Sequence, residues 1–575
     1  MPGTGTGRRG SALATAIGLR KKTEIDIVLD GEAELVHSYS THDKIQGRVE
    51  VKFEKETCFD DFNITFEGQS STYVERIATT APTTGRTTGR QTFLKVQQPI
   101  NEGFLPPDGV FRANVTYTIP FTFVVPYRLL PFVCTHRVKD EECRKEHLQL
   151  PPSLGDPSVS GEGRTLMDDM APDMARIIYC VRARITRWNA VGRLLELADK
   201  SERVRLVPAR DEAPPLIIED TQLSHHVMRK EKSVKKGLFK IGKIGRLTAE
   251  TSQPRSLRIP HPQKRSTEPI STMTTINLRF DPQTPQDEPP QLDSVGTKLK
   301  VYTFFGAAAY SQLPEAGKHD NWSTLHGVYA ETVPLASRRV STVSWLRHDP
   351  AEREMSFSSS DLSRRPSAYS TSSTASIPEP SCSYQAGMPF YTASVLTPIA
   401  LPHASSTNRP RVFVPTFHSC IVSRVYSLDL DVSFRTPGAN VASSHVTLKT
   451  PIQISAEGGA PPARMHEPDA AIVAEIEQQF RLYEEGQLQH HDLGIESPVY
   501  EETNSSHALA GTRHMSLVPE HAYTAARSDS APALLLDVDT SAPPEYHVSS
   551  GFSTYSAMDR PGGPTTQNVS LRLSA

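Results

Sequence analysis

Cys134, His136, Cys143 and His147 stand close together in CTHRVKDEECRKEH, and two thiols with two imidazoles are the donor set that a structural zinc accepts. Their outer pairs are spaced C-x-H and C-x-x-x-H, which is no familiar finger pattern, and charged residues fill the middle. The reading taken is therefore a loop with no metal and no cofactor, and a zinc-stabilised β domain is the alternative. Two phosphate-binding patterns fail on context. Gly5, Gly7 and Gly10 spell G-x-G-x-x-G without a preceding strand, and GLFKIGK, from Gly237 to Lys243, is followed by Ile244 where a hydroxyl must hold magnesium. No G-x-S-x-G elbow occurs in the sequence. The expectation is a protein that is not an enzyme.

The remaining chemistry is recognition. Pro543-Pro544-Glu545-Tyr546 is a P-P-x-Y motif: its prolines favour a polyproline II helix before binding, so little entropy is lost on docking between the aromatic side chains of a WW domain, and Tyr546 fills the adjacent pocket. Pro498 and Tyr500, in SPVYEE, lack the first proline; a weaker second docking site is weighed there against chance, and chance is preferred. Arg338-Arg339-Val340-Ser341 and Arg364-Arg365-Pro366-Ser367 place arginine pairs where a basophilic kinase reads them, so phosphate on Ser341 or Ser367 would create a site for phosphoserine-reading adaptors or repel an acidic surface, and at Ser341 chance surface arginines are weighed against this. The one dense basic stretch, 228–246, carries Lys230, Lys232, Lys235, Lys236, Lys240 and Lys243 with apolar residues between them. A solvated loop or strand edge is weighed there evenly against contact with anionic lipid or phosphorylated cargo.

The elements that must hold these residues are strands. KIQGRVEVKFE alternates Ile45, Gly47, Val49, Val51 and Phe53 with polar residues, the period-two pattern of a half-buried strand, and DFNITFEG, RIIYCVRARITRW and CIVSRVYSLDLDVSF repeat it. NVTYTIPFTFVVP holds Pro120, which demotes it to a sheet edge or a bulge. The expected fold is all-β: two tandem β-sandwiches over 23–188 and 189–455. Around them lie a disordered extension over 1–22, a mobile serine-rich insert over 350–385 and a mostly disordered acidic tail over 456–575, with a helix over 469–485 and the docking motif at 543–546. The 575 residues leave room for such an architecture, and 37% hydrophobic residues with 46 prolines suit folded parts diluted by unfolded ones.

Charge excludes a global nucleic-acid signature, since 62 Lys and Arg nearly balance 65 Asp and Glu. No apolar run reaches the ~20 residues of a membrane span, and the start of the chain does not read as a signal peptide. The six thinly spread cysteines are expected as free thiols in a reducing, cytoplasmic compartment.

YTIPFTFVVPYRLLPFVCTH (117–136), HLQLPPSLGDP (147–157), DDMAPDMARIIYCVRARI (168–185) and PTFHSCIVSRVYSLDLDVSF (415–434) together resemble the arrestin-like proteins of filamentous fungi. Within that group the chain is similar to the α-arrestins and Bul-type adaptors over residues 23 to 455. The resemblance implies two arrestin-like, immunoglobulin-type sandwiches that act as a non-catalytic scaffold. It implies a WW-domain, HECT-type ubiquitin ligase as partner and a plasma-membrane or endosomal transporter or receptor as cargo for ubiquitination, endocytosis and sorting. The location implied is cytoplasmic and peripheral at those membranes. A ubiquitin-independent trafficking scaffold is the runner-up.

Overall fold

The computed structural model describes residues 23–31, 34–76, 85–216, 225–236, 242–264, 268–315, 324–349, 377–402, 410–436, 443–459 and 501–503. The expected extension over 1–22, the helix over 469–485, the docking motif, Pro498, Tyr500, Lys240 and Ser367 lie outside them.

Alternation becomes strand throughout the first part of the chain. β1 (Thr23–Leu29), β2 (Lys44–Phe53), β3 (Asp61–Arg76), β4 (Gly85–Gln97), β5 (Thr116–Val124), β6 (Ala175–Trp188) and β7 (Leu194–Leu206) build two antiparallel sheets. One has the order β1-β2-β5; the other runs β7-β6-β3-β4, with Ser38–Tyr39 outside β7 and Glu501–Thr503 outside β4. Pro120 sits exposed on β5, the last strand of its sheet, where a missing N–H costs no ladder bond. Ile45, Val49 and Val51 of β2 and Ile119, Phe121 and Phe123 of β5 share one buried cluster with Ile64 and Phe66 of β3 and Ile177, Val181 and Ile185 of β6. Each sheet thus buries one face against the other, the packing of a β-sandwich. The first sandwich runs beyond the boundary expected at residue 188, because β7 pairs with β6 and buries Val204 and Leu206 in the same cluster.

The second part repeats this scheme with β8 (Arg229–Lys235), β9 (Lys243–Thr251), β10 (Ser271–Pro282), β11 (Gln291–Gly306), β12 (His326–Arg339), β13 (Phe390–Ala400), β14 (Val422–Arg435) and β15 (Ser444–Ile452). One sheet has the order β8-β9-β10-β13, closed by Leu346–His348; the other runs β12-β11-β14-(Phe417–His418), with β15 also on β14. Leu428, Leu430, Val432 and Phe434 of β14 point into a second buried cluster with Leu247, Leu278, Phe280 and Val395 of the facing sheet. The end of the insert expected to be mobile is packed: Arg279 donates to Pro378 O at 3.2 Å, and Ser381 N donates to Asp281 Oδ2 at 2.8 Å.

The two clusters are tied through one seam. Phe417, Cys420, Ile421 and Val422, from the turn that opens β14, belong to the first cluster and not the second. Thr72 donates to Gly306 O at 2.6 Å, and Arg424, fully buried, donates to Asp169 O at 2.9 Å and Met170 O at 3.2 Å. Those bonds pin Met170 at φ 57°, a left-handed conformation that a methionine rarely adopts.

Candidate functional site

The Cys/His stretch folds as two short turns of different kinds. Pro131, whose ring presets φ, starts a 3-10 turn over Pro131–Val133, and Cys134 N donates back to Pro131 O at 3.0 Å. Seven residues later begins α1 (Glu141–His147), where a loop was expected. Asp140 caps it, accepting from Cys143 N at 2.8 Å; Glu141 and Glu142 lie in the first turn and Arg144, Lys145 and His147 in the last, as the helix dipole favours. Helical spacing then puts Cys143 and His147 on one buried face.

The donor group that results is not the one the sequence suggests. Cys134, His136 and His147 converge, as the zinc alternative required and the preferred loop reading did not, but the fourth member is Cys420: one ligand atom from each of these four lies within 4.8 Å of all the others. Cys134 Sγ is 3.3 Å from His136 Nε2 and 3.6 Å from His147 Nδ1. Cys143 drops out of the group, because the helix sets its sulfur 3.7 Å from the opposite ring nitrogen of His147, Nε2, behind the imidazole. Cys420 arrives from the turn between Phe417–His418 and β14, closed by Ser419 N to Val422 O at 2.9 Å. No local pattern links it to the others, so sequence spacing could not find it. Cys134, His147 and Cys420 are buried and His136 half-buried.

Electrostatics bind the four together. Hydrogen bonding to Cys420, ahead of His136 and His147, holds the Cys134 thiol far below its ordinary value, and the Cys420 thiol is raised by the same contact and by burial. His136 is raised by Cys134, while burial pushes Cys143 up to about 11, which leaves it an inert thiol. Around the group, Arg144 donates to Cys134 O at 3.0 Å, Gln91 donates to Val133 O at 2.8 Å, and Arg210 bridges Glu146 and Gln149. Lys139 N donates to Ser311 O at 2.7 Å, a second tie from this stretch to the later part of the chain.

The basic stretch is a strand edge. β8 is the outermost strand of its sheet and β9 pairs with it. Lys230, Lys235, Lys236 and Lys243 are exposed, whereas Lys232 donates to His445 O and its pKa is lowered by burial and then by Lys230 and Lys235. Glu231 pairs with both Arg229, at 3.1 Å, and Arg246, at 3.2 Å. Ser341 lies exposed in a turn just after β12, held by Val340 N donating to Asp293 O at 2.9 Å. Among the described residues no helix is long and apolar enough to cross a membrane. Comparison with known proteins returns no matching family model and no matching curated protein.

Proposed function

We propose that the chain is a non-catalytic, arrestin-like adaptor that brings a WW-domain, HECT-type ubiquitin ligase to membrane cargo. The observation that carries this reading is Pro543-Pro544-Glu545-Tyr546, a docking peptide on the C-terminal side of an all-β body with two buried clusters. Such a body supplies rigid sheets and long edges suited to holding another protein, and the peptide supplies affinity through a preformed helix and one aromatic anchor. The exposed lysines of the β8–β9 edge offer amines for the recruited ligase. The test is titration of isolated WW domains into the full chain. Binding is expected for the unaltered chain and loss of at least tenfold in affinity for Tyr546→Ala, with the thermal melt unchanged; equal affinity in the two would remove the docking assignment.

A further inference from the structure

The geometry points to a structural Zn²⁺ site formed by Cys134, His136, His147 and Cys420, a metal staple between the 134–147 stretch and the turn that opens β14. It is independent of ligase docking.

Three features of the group go beyond ordinary hydrogen bonding. First, the spacings fit: zinc at 2.3 Å from sulfur and ~2.0–2.1 Å from nitrogen in a tetrahedron sets sulfur and nitrogen ligands ~3.5 Å apart. The distances from Cys134 Sγ to the two imidazoles, 3.3 and 3.6 Å, already bracket that value. Hydrogen bonds explain pairs of groups; they do not require four donor atoms from two distant segments to lie within 4.8 Å of one another. Second, each imidazole is oriented as a ligand is. His136 turns Nε2 to the cluster while its Nδ1 faces Arg137 O at 3.3 Å, and His147 turns Nδ1 to the cluster while its Nε2 faces Cys143 Sγ at 3.7 Å. An outer partner on the far nitrogen fixes which nitrogen carries the lone pair, and it gives Cys143 a role as support rather than ligand. Third, the charge closes. Zn²⁺ displaces one proton from each of the two thiols and binds two neutral imidazoles, so the loaded site has zero net charge and suits a buried seam.

Four protein donors leave no open coordination position, so the ion acts on structure and activates no water. Three donors come from the 3-10 turn, the residue pair after it and α1; the fourth comes from the turn that opens β14. One ion therefore fastens the stretch after β5 to the start of β14.

The experiment is metal analysis of the full chain, produced with zinc in the medium and purified without chelator, for the unaltered protein, Cys420→Ser and, as control, Cys382→Ser, an exposed thiol outside the group. About one zinc per chain is expected in the unaltered protein and in Cys382→Ser, and a fall to near zero in Cys420→Ser. X-ray absorption at the zinc edge of the unaltered protein is expected to give two sulfur and two nitrogen neighbours, which needs no variant and stands even where Cys420→Ser does not fold. Zinc well below stoichiometric after refolding with Zn²⁺, a Cys134–Cys420 disulfide in the purified chain, or zinc lost from Cys382→Ser would each overturn the assignment.

Discussion

Arg424 ties the start of β14 to the 169–170 turn. Its guanidinium is fully buried yet faces carbonyl oxygens, not a carboxylate: Asp169 O and Met170 O accept from it, and Nε has no partner. Removing it strands two buried acceptors and opens a cavity, so Arg424→Ala is expected to cost about 3 kcal/mol in denaturant unfolding. A loss under ~0.5 kcal/mol, the range of ordinary surface substitutions, would show that the carbonyls find other donors. A second residue-scale prediction concerns acid. Burial, then His225, pushes His226 down to about 4, so it is neutral in the fold while the unfolded chain takes up the proton near its ordinary 6.5. Its contribution is present above pH 6.5 and is lost as the pH falls from there towards 4. His226→Gln is expected to flatten the stability profile over that interval; an unchanged slope in the variant would place the titration elsewhere.

At the scale of elements, the sequence was most readable where period two was unbroken. Leu428 to Phe434 alternate in the chain and in burial, and Pro120 announced the edge strand that β5 is. α1 was missed because seven residues make barely two turns, too few for an apolar stripe; the legible signal was the polarity of its charges, acids before bases behind Asp140. Cys420 was beyond reach for a different reason. Its neighbours in sequence hold no other thiol, and although His418 makes an H-x-C pair with it, nothing in the sequence links that pair to residues 134–147; the pairing of Phe417–His418 with β14 carries it to Cys134. The β8–β9 edge sharpens one expectation of the adaptor reading. No lysine follows Lys449 in the sequence, so a ligase docked at Tyr546 finds no acceptor lysine in the segment around its docking motif. Diglycine mapping is expected to find Lys230, Lys235, Lys236 and Lys243 modified well ahead of Lys232, whose amine is engaged with His445 O. Dominant modification of lysines in β1–β7 would contradict this placement.

At the scale of the molecule, the earlier and later parts of the chain meet through apolar packing and directed contacts that include Arg424 on the 169–170 turn, Thr72 on Gly306 O, Lys139 N on Ser311 O and the Cys/His group. Interfaces of this kind loosen when one tie is removed, whereas the sheets themselves keep their ladders. Stripping divalent metal is therefore expected to lower the melting temperature by several degrees and to expose the 134–147 stretch to proteolysis, with re-addition of Zn²⁺ reversing both; chelation without effect on either would leave the seam independent of metal. The most direct test of the adaptor reading is a reconstituted ubiquitination reaction containing a WW-domain, HECT-type ligase and the full chain. The account predicts multiply modified product from the unaltered chain and a reduction of tenfold or more in initial rate for Tyr546→Ala; equal rates from the two proteins would contradict it.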